Sequence, residues 1–224
     1  MTIPVSAYVT IIFDCDGVVL HSNRVKTNAF YQTALPYGER AAKAMVDYHV
    51  NNGGVSRYRK FAHFLDEIVP LHAPNSEGPG LEGLLERYAE EVQQGLLECE
   101  VARGLEDLRK QTFNARWLIV SGGDQAELRQ VFAKRGLADF FDGGVFGSPD
   151  NKDEILAREL SNGSIRYPAL FLGDSRYDYQ AAHAAKLDFV FVSGWTETAD
   201  WRGWSQQQGI YCINSLSELL SAVN

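Results

Sequence analysis

The stretch YVTIIFDCDG, residues 8–17, decides the fold. Its apolar run is rich in β-branched and aromatic residues and breaks at two aspartates and a glycine, which is typical of a parallel strand buried on both faces. Similar short runs recur at 117–120, 169–172, 189–192 and, more weakly, 211–213. Segments with helical periodicity separate them. This alternation predicts a doubly wound α/β fold, in which a mainly parallel, Rossmann-like sheet carries helices on both faces.

The connection after the first strand is far longer than an ordinary βα loop. It contains no convincing strand, and its helical patterns lie at 24–35, 39–50, 55–69 and 81–97. Prolines and glycines separate these patterns because neither residue readily continues a helix. A segment of this length needs its own small core. We therefore predict that residues 21–100 form an inserted helical cap, and that residues 1–20 and 101–224 form the α/β core.

The composition limits the class of protein and its partners. The chain has 224 residues, of which 45% are hydrophobic and 22% are charged, as in ordinary globular proteins. Its net charge of −8 disfavours nucleic acids and anionic membranes as partners, because both attract a basic surface. Three scattered cysteines and an N-terminus without a basic region predict a cytoplasmic protein without a disulfide framework. Either a monomer or a homodimer is compatible with these features.

Two acids follow the first predicted strand. Side chains two residues apart on an extended chain point to the same side, so Asp14 and Asp16 should project together. Two neighbouring carboxylates repel unless a cation lies between them, and Mg²⁺ prefers oxygen ligands of this kind. One acid can then stay ionised as a ligand or nucleophile while the other carries a proton. Gly17 permits a tight turn beside them.

Three further features follow later predicted strands or lie at the start of a predicted helix. Ser121 and the two glycines after it offer a hydroxyl and open backbone amides before a helix that begins near Asp124. Lys152 lies in the first turn of an amphipathic stretch, where the helix dipole disfavours a cation that has no anionic partner. Asp174 and Asp178 stand four residues apart at a strand-to-helix passage.

Each feature has an ordinary explanation when taken alone. Acids and glycines are common in turns, lysines are mostly solvated, and aspartate and serine cap helices. All four features, however, follow the carboxyl ends of predicted parallel strands or begin the next helix, so they should share one edge of the sheet. Their combination therefore predicts a site for an anionic ligand and a metal ion.

Four segments carry a resemblance to a known family. FDCDGVV, LIVSGG, SPDNKDEIL and LGDSRYDYQAA, in this order and separation, resemble the signature motifs of the haloacid dehalogenase superfamily. The chain is most similar to the phosphatase and β-phosphoglucomutase-like branch, which inserts a helical cap after the first motif. The resemblance covers essentially the whole chain outside the cap.

The resemblance implies a role for each acid and for the lysine. Asp14 would be the nucleophile that forms an aspartyl-phosphate, and Asp16 would protonate the leaving oxygen and then activate water. Lys152 would neutralise charge on the nucleophile and the phosphate. Mg²⁺ would be held by Asp14, the Asp16 carbonyl and Asp174, with Asp178 assisting through water or by orienting Lys152.

The remaining expectations concern substrate binding. The resemblance implies that Ser121 and the Gly122 amide hold phosphoryl oxygens. The GVSR segment in the predicted cap resembles that of β-phosphoglucomutase-like proteins, so Arg57 is a candidate specificity residue for an anionic group. Lys26, at the entry to the cap, is a second candidate or a snorkelling surface lysine. The neighbouring basic residues Arg59 and Lys60 are equally compatible with solvated charge.

The acid at position 16 favours one reaction over the others. Relatives that cleave carbon–halogen or carbon–phosphorus bonds lack an acid there, so the resemblance implies hydrolysis of a phosphate ester. We predict a Mg²⁺-dependent phosphatase acting on a small phosphate monoester, either a sugar phosphate or a phosphorylated acid. A phosphomutase is the alternative. A phosphoacceptor module or a binding protein without turnover ranks lower, since receiver modules are shorter and carry no such cap.

Overall fold

The computed structural model describes residues 3–220, and within them six strands form one sheet. All neighbouring strands pair in parallel, in the order β3-β2-β1-β4-β5-β6. The strands are β1 (Thr10–Phe13), β2 (Arg116–Asp124), β3 (Gly144–Ser148), β4 (Ala169–Gly173), β5 (Asp188–Val192) and β6 (Tyr211–Ile213). The prediction of a doubly wound, parallel α/β fold is confirmed.

The helices cover both faces of the sheet. They are α1 (Asn23–Ala34), α2 (Glu39–Asn51), α3 (Arg57–His63), α4 (Val69–His72), α5 (Leu81–Glu98), α6 (Leu105–Gln111), α7 (Gln125–Lys134), α8 (Lys152–Ser161), α9 (Arg176–Ala184) and α10 (Trp201–Gln208). Along β1, Ile11 and Phe13 enter one apolar cluster, whereas Ile12 enters the other. This alternation follows from the two-residue period of a strand, and it explains why the strand sequences are apolar throughout. Among residues 3–220, no helix is long and apolar enough to cross a membrane.

Helices α1 to α5 lie between β1 and β2 in the sequence and form the inserted cap. Aromatic rings fill its interior: the ring centroids of Phe30 and Tyr88 are 4.4 Å apart, and those of Phe30 and Phe61 are 5.1 Å apart. The helix predicted over 55–69 is α3, a π-helical turn at Phe64–Ile68, and α4. The cap boundaries at 21 and 100 stay predictions, and residues 1–2 and 221–224 of the predicted core lie outside the described residues.

Two details of the predicted sheet were wrong. We predicted five strands, but β3 is a sixth, at the edge of the sheet beside β2. Its sequence GVFGS contains two glycines and only a short apolar run, which is a weak strand signal. The second strand was predicted to end at Val120, yet β2 continues to Asp124, with an irregular register against β3 after Val120. Strand pairing therefore outweighed the turn preference of the two glycines.

The strand order places one strand end in a crevice. β1 is central, the next strand in the chain lies on one side of it, and β4 lies on the other side. Ligands of doubly wound sheets bind at such a reversal, beyond the carboxyl ends of the strands. Asp14 directly follows β1, and its backbone N–H continues the ladder by donating to the Leu172 carbonyl at 2.9 Å.

Candidate active site

A cleft lies between the carboxyl edge of the sheet and the cap, with a cavity volume of about 70 Å³. The sheet contributes Asp14, Asp16, Gly122 and Asp174, among others, and the cap contributes residues of α1, α2, α3 and α5. The predicted acids and the glycine loop therefore meet at one edge, opposite the inserted helices.

Lys152 connects two of the predicted acids. It begins α8 and is fully buried, and its Nζ lies 2.9 Å from Asp14 Oδ1 and in contact with Asp178 Oδ1. Burial alone would lower the pKa of Lys152, but the two carboxylates raise it above its usual value. These anions explain why a cation is stable in the first turn of a helix. Lys152 is therefore a permanently charged group beside Asp14.

Asp178 is held by the start of its own helix. Ser175 caps α9, and its backbone N–H and hydroxyl donate to Asp178 Oδ2 at 3.0 and 2.6 Å. This reciprocal capping box fixes the carboxylate so that its other oxygen faces Lys152. The role of Asp178 at a metal ion, through water or by orienting Lys152, stays a prediction.

Three acids form a cluster that fits a metal ion. Asp14, Asp174 and Asp178 are buried, and one oxygen of each lies within 4.8 Å of the others. Burial raises the pKa of Asp14 to about 7, with smaller contributions from Asp178 and Asp16, while Lys152 opposes the shift. Burial, with smaller contributions from Asp14 and Asp178, raises the pKa of Asp174 well above its usual value. The three acids therefore have less positive charge around them than they need, because Lys152 does not offset the burial of Asp14 and Asp174. Their hard oxygen donors are those that Mg²⁺ prefers.

The Asp16 side chain lies apart from this cluster. Its carboxylate accepts from Lys26 Nζ at 2.6 Å and from the Ser22 hydroxyl at 2.6 Å. Burial acts to raise the pKa of Asp16, but Lys26 and Ser22 outweigh it and the pKa is lowered. Because both carboxylate oxygens are engaged, a metal contact from Asp16 would come from its backbone carbonyl. Lys26 is thus placed beside a predicted catalytic acid and is not a snorkelling surface lysine.

Gly17 permits the close approach of β1 and the Asp174 loop. Its φ is +77°, and a Cβ atom there would lie 2.1 Å from Asp174 Oδ2. The Asn23 side chain donates to the same Asp174 oxygen at 2.8 Å. Any larger residue at position 17 would therefore displace a predicted metal ligand as well as strain the backbone.

The Ser121 loop contributes backbone more than side chain to the cleft. Ser121 is fully buried, and its hydroxyl accepts from the Gly123 N–H at 3.0 Å. Gly122 and Gly123 line the cleft. A Cβ atom on Gly122 would lie 2.2 Å from the Gly54 carbonyl oxygen, so the core and the cap touch here backbone to backbone. The role of Ser121 in binding phosphoryl oxygens stays a prediction.

We expect Gly122→Ala to loosen the cap. The methyl group would collide with Gly54, and because this is a backbone contact the cap loop itself would have to move. Limited proteolysis should cut the loop at residues 51–56 at least about threefold faster than in the unmodified protein. Gly80→Ala is the matched control, because Gly80 has a negative φ and open space around it. Equal cleavage rates in both variants would contradict this prediction.

Arg57 joins the cap to the core. Its guanidinium lies 2.9 Å from Glu127 Oε2 and 3.6 Å from Asp124 Oδ2, and the Tyr58 hydroxyl donates to Asp124 at 2.7 Å. The Arg57 side chain also lines the cleft, and its Nε is buried without a hydrogen-bond partner among the described residues. Most of its charge is therefore already neutralised in this arrangement. Its role in substrate specificity stays a prediction.

Several cleft residues were missed from the sequence. Lys60, for which the sequence left solvated charge as an equal possibility, is only 2% exposed and lines the cleft. Its spacing of three residues from Arg57 on a helix was a usable signal, because such residues share a face. Asn23 and Glu197 gave no comparable signal, since Asn23 begins a cap helix and Glu197 lies in an irregular segment after β5.

The fold and the site together define a capped α/β enzyme with an acid and lysine centre at the reversal point of its sheet. The family model for haloacid dehalogenase-like hydrolases matches residues 8–186. The chain therefore belongs to this family of hydrolases, as its four motifs indicated.

Solved structures share the same fold at low sequence identity. A haloacid dehalogenase-like hydrolase from Streptococcus pneumoniae is 18% identical, with a TM-score of 0.66, over 95% of this chain and 97% of that one. A predicted phosphoglycolate phosphatase from Haemophilus somnus is 15% identical, with a TM-score of 0.72, over 93% of this chain and 95% of that one. CbbY from Rhodobacter sphaeroides, solved in complex with phosphate, is 17% identical, with a TM-score of 0.66, over 95% of this chain and 99% of that one. A search of curated protein sequences found no match.

Proposed function

We propose that this hydrolase is a Mg²⁺-dependent phosphatase that cleaves a small phosphate monoester through an aspartyl-phosphate on Asp14. The observation that carries the proposal is the convergence of Asp14, Lys152, Asp174 and Asp178 in one buried cluster beside the cleft. Phosphoryl transfer depends mainly on positioning and on positive charge around the phosphate, and this cluster offers both a nucleophile and a fixed cation. The names of the structural relatives point in the same direction.

Asp14 has the surroundings of a nucleophile. Its Oδ1 accepts from the Cys15 N–H at 2.8 Å and from Lys152 Nζ at 2.9 Å, which leaves Oδ2 for attack. In the first step a bond from this oxygen to phosphorus forms and the bond from phosphorus to the leaving oxygen breaks. The leaving oxygen takes the electron pair and a proton. Water then attacks phosphorus, the bond to Asp14 breaks, and inorganic phosphate leaves.

Asp16 is the group proposed to carry the proton in both steps. It donates to the leaving oxygen in the first step and accepts a proton from water in the second. The ion pair with Lys26 stabilises the ionised form, which is the base required in the second step. The first step requires the protonated form, so substrate must weaken the contact between Asp16 and Lys26. Lys26 is therefore proposed to position Asp16 and to set its protonation.

Mg²⁺ would be held by the Asp14 and Asp174 carboxylates and by the Asp16 carbonyl, with Asp178 holding Lys152 nearby. When bound, it would supply the positive charge that the buried acids lack and would counter the charge of the phosphoryl oxygens. Lys152 and the Gly122 amide, together with Ser121, are proposed to bind the phosphoryl group. The substrate class is a small phosphate monoester, either a sugar phosphate or a phosphorylated acid.

A panel of small phosphate monoesters, assayed for phosphate release, tests this function. We expect turnover with Mg²⁺, loss of at least about 99% of it in excess EDTA, and recovery when Mg²⁺ is restored, because the buried acids cannot hold a phosphate dianion without added cation. Boiled enzyme and Mg²⁺ alone serve as controls. Turnover that persists in EDTA would contradict the metal requirement.

The phosphomutase alternative predicts a different product. Arg57, the candidate specificity residue, keeps this alternative open, because a guanidinium can bind an anionic group in the part of the substrate that is not transferred. Because Glu127 and Asp124 already pair with Arg57, the observed arrangement favours hydrolysis. A mutase would convert a sugar phosphate to its isomer without release of inorganic phosphate, whereas the proposed phosphatase releases it in proportion to the substrate consumed.

A further inference from the structure

Lys60 is a buried cation that faces the cleft from the cap. It lies on α3, is 2% exposed, and lines the same cleft as Asp14 and Asp16. No carboxylate of residues 3–220 lies within ion-pair distance of its Nζ. Its closest contact is His49 Nδ1, at 2.7 Å, and the His49 carbonyl lies at 3.4 Å.

Within the described part of the chain, the groups that surround Lys60 are polar or aromatic, and none in contact with it is negatively charged. For the ammonium group to donate to His49 Nδ1, that nitrogen must be unprotonated. Burial and the charges of Lys60 and Lys26 lower the pKa of His49 well below its usual value, so the ring is neutral. The Phe30 ring centroid lies 5.4 Å from Nζ, which allows a cation–π contact. These contacts orient the ammonium group but do not neutralise it.

The other cations of the cleft are already paired. Lys26 contacts Asp16, and Arg57 contacts Glu127. Lys152, behind the cleft, contacts two acids. A buried charge without a counter-ion is costly, and accordingly burial and the charge of Lys26 lower the pKa of Lys60 to about 7. A bound anion would remove this cost. Unlike the paired cations, Lys60 can bind an anion without first losing an ion pair.

We propose that Lys60, held by His49, binds a carboxylate in the part of the substrate that is not transferred. This inference rests on the proposed phosphatase function and narrows its substrate class to short phosphorylated carboxylic acids. A carboxylate is compact enough for a cavity of about 70 Å³ and accepts well from an ammonium group. Arg57, the earlier candidate for binding an anionic group, is paired with core carboxylates, whereas Lys60 forms no ion pair with a described residue.

Two probes of the same shape separate charge from size. 2-Phosphoglycolate carries a phosphate and a carboxylate, and its amide, phosphoglycolamide, carries a neutral group in the same place. Binding of each is measured by calorimetry, with Mg²⁺ present, to the Asp14→Asn variant, which keeps the cleft but cannot be phosphorylated. We expect the acid to bind at least about tenfold tighter than the amide, because only the acid pairs with Lys60.

Lys60→Met in the same background should remove this preference. Affinity for the acid should fall about tenfold or more, while affinity for the amide stays within about twofold. Lys43→Met is the matched control, because Lys43 is a cap lysine that is exposed and pairs with Glu39 on its own helix. Lys60→Gln provides a second test if the methionine variant does not fold. Equal binding of acid and amide before substitution, or an unchanged ratio after it, would overturn the inference.

The two proposals can fail separately. Phosphate release by the unmodified protein with Mg²⁺ measures the phosphatase function, whereas the ratio of the two affinities measures the role of Lys60. Phosphate release from other esters without a preference for the acid would overturn the role of Lys60 alone. A clear preference with no phosphate release from any ester would overturn the phosphatase alone.

Discussion

Asp14→Asn is expected to abolish phosphate release, lowering kcat by about four orders of magnitude or more. The amide is a far weaker nucleophile than the carboxylate, and it cannot take the place of an anion beside Lys152. The expected loss lies in kcat, since the cleft and its other cations remain. The loss in kcat is measured as the rate of phosphate release at saturating Mg²⁺ and substrate, in an assay sensitive enough to detect the uncatalysed rate.

An exposed acid supplies the control for this variant. Asp139 lies on the surface in a short 3-10 helix and belongs to none of the four motifs. Asp139→Asn should keep kcat within about twofold of the unmodified protein. Circular dichroism should show the same helix content in both variants. Substantial turnover by a folded Asp14→Asn protein would show that another group attacks phosphorus.

Lys152→Met is expected to cause the largest loss of stability. Lys152 is fully buried between Asp14 and Asp178, and its removal leaves two buried acids without their cation. Removing one partner of a buried ion pair lowers the free energy of unfolding by about 3–5 kcal/mol. The free energy of unfolding from urea titration, measured without Mg²⁺ at pH 7.5, should fall by about this amount. Activity should also be lost.

A double variant separates lost charge balance from lost packing. Lys152→Met with Asp178→Asn removes one of the two uncompensated acids, so it should recover at least about 1 kcal/mol of the loss. Asp178→Asn alone should be destabilising, because it weakens the pair with Lys152 and the capping of α9. A double variant less stable than Lys152→Met would contradict the electrostatic explanation.

Much of the core could be predicted because its signals are local. Strands β1 and β4 are short apolar runs that end at acidic loops, and five of the six strands were found in this way. β3 was missed because its stability comes from pairing with β2 at the sheet edge, which no local pattern encodes. The two glycines of β2 indicated a turn because the pairing that extends this strand is likewise not encoded in the local sequence.

The candidate site was predictable to the extent that the sheet brings it together. Carboxyl ends of parallel strands share an edge, so Asp14, Asp174 and the start of α8 were expected to meet there. The pairing of Lys26 with Asp16 and of Arg57 with Glu127 depends on how cap helices rest on the core. Helix periodicity predicts a helix face but not what packs against it, which is why the contact between Lys60 and His49 emerged only from the structure.

The most direct test of Asp14 as the nucleophile is to trap its phosphorylated form. The enzyme is mixed with Mg²⁺ and a hydrolysed monoester, quenched in acid within milliseconds, digested, and analysed by mass spectrometry. We predict a phosphoryl group on the peptide that contains Asp14, removable by hydroxylamine and absent from the Asp14→Asn variant. Phosphate release during steady turnover with no phosphoryl group on Asp14, or with one on another residue, would contradict the mechanism.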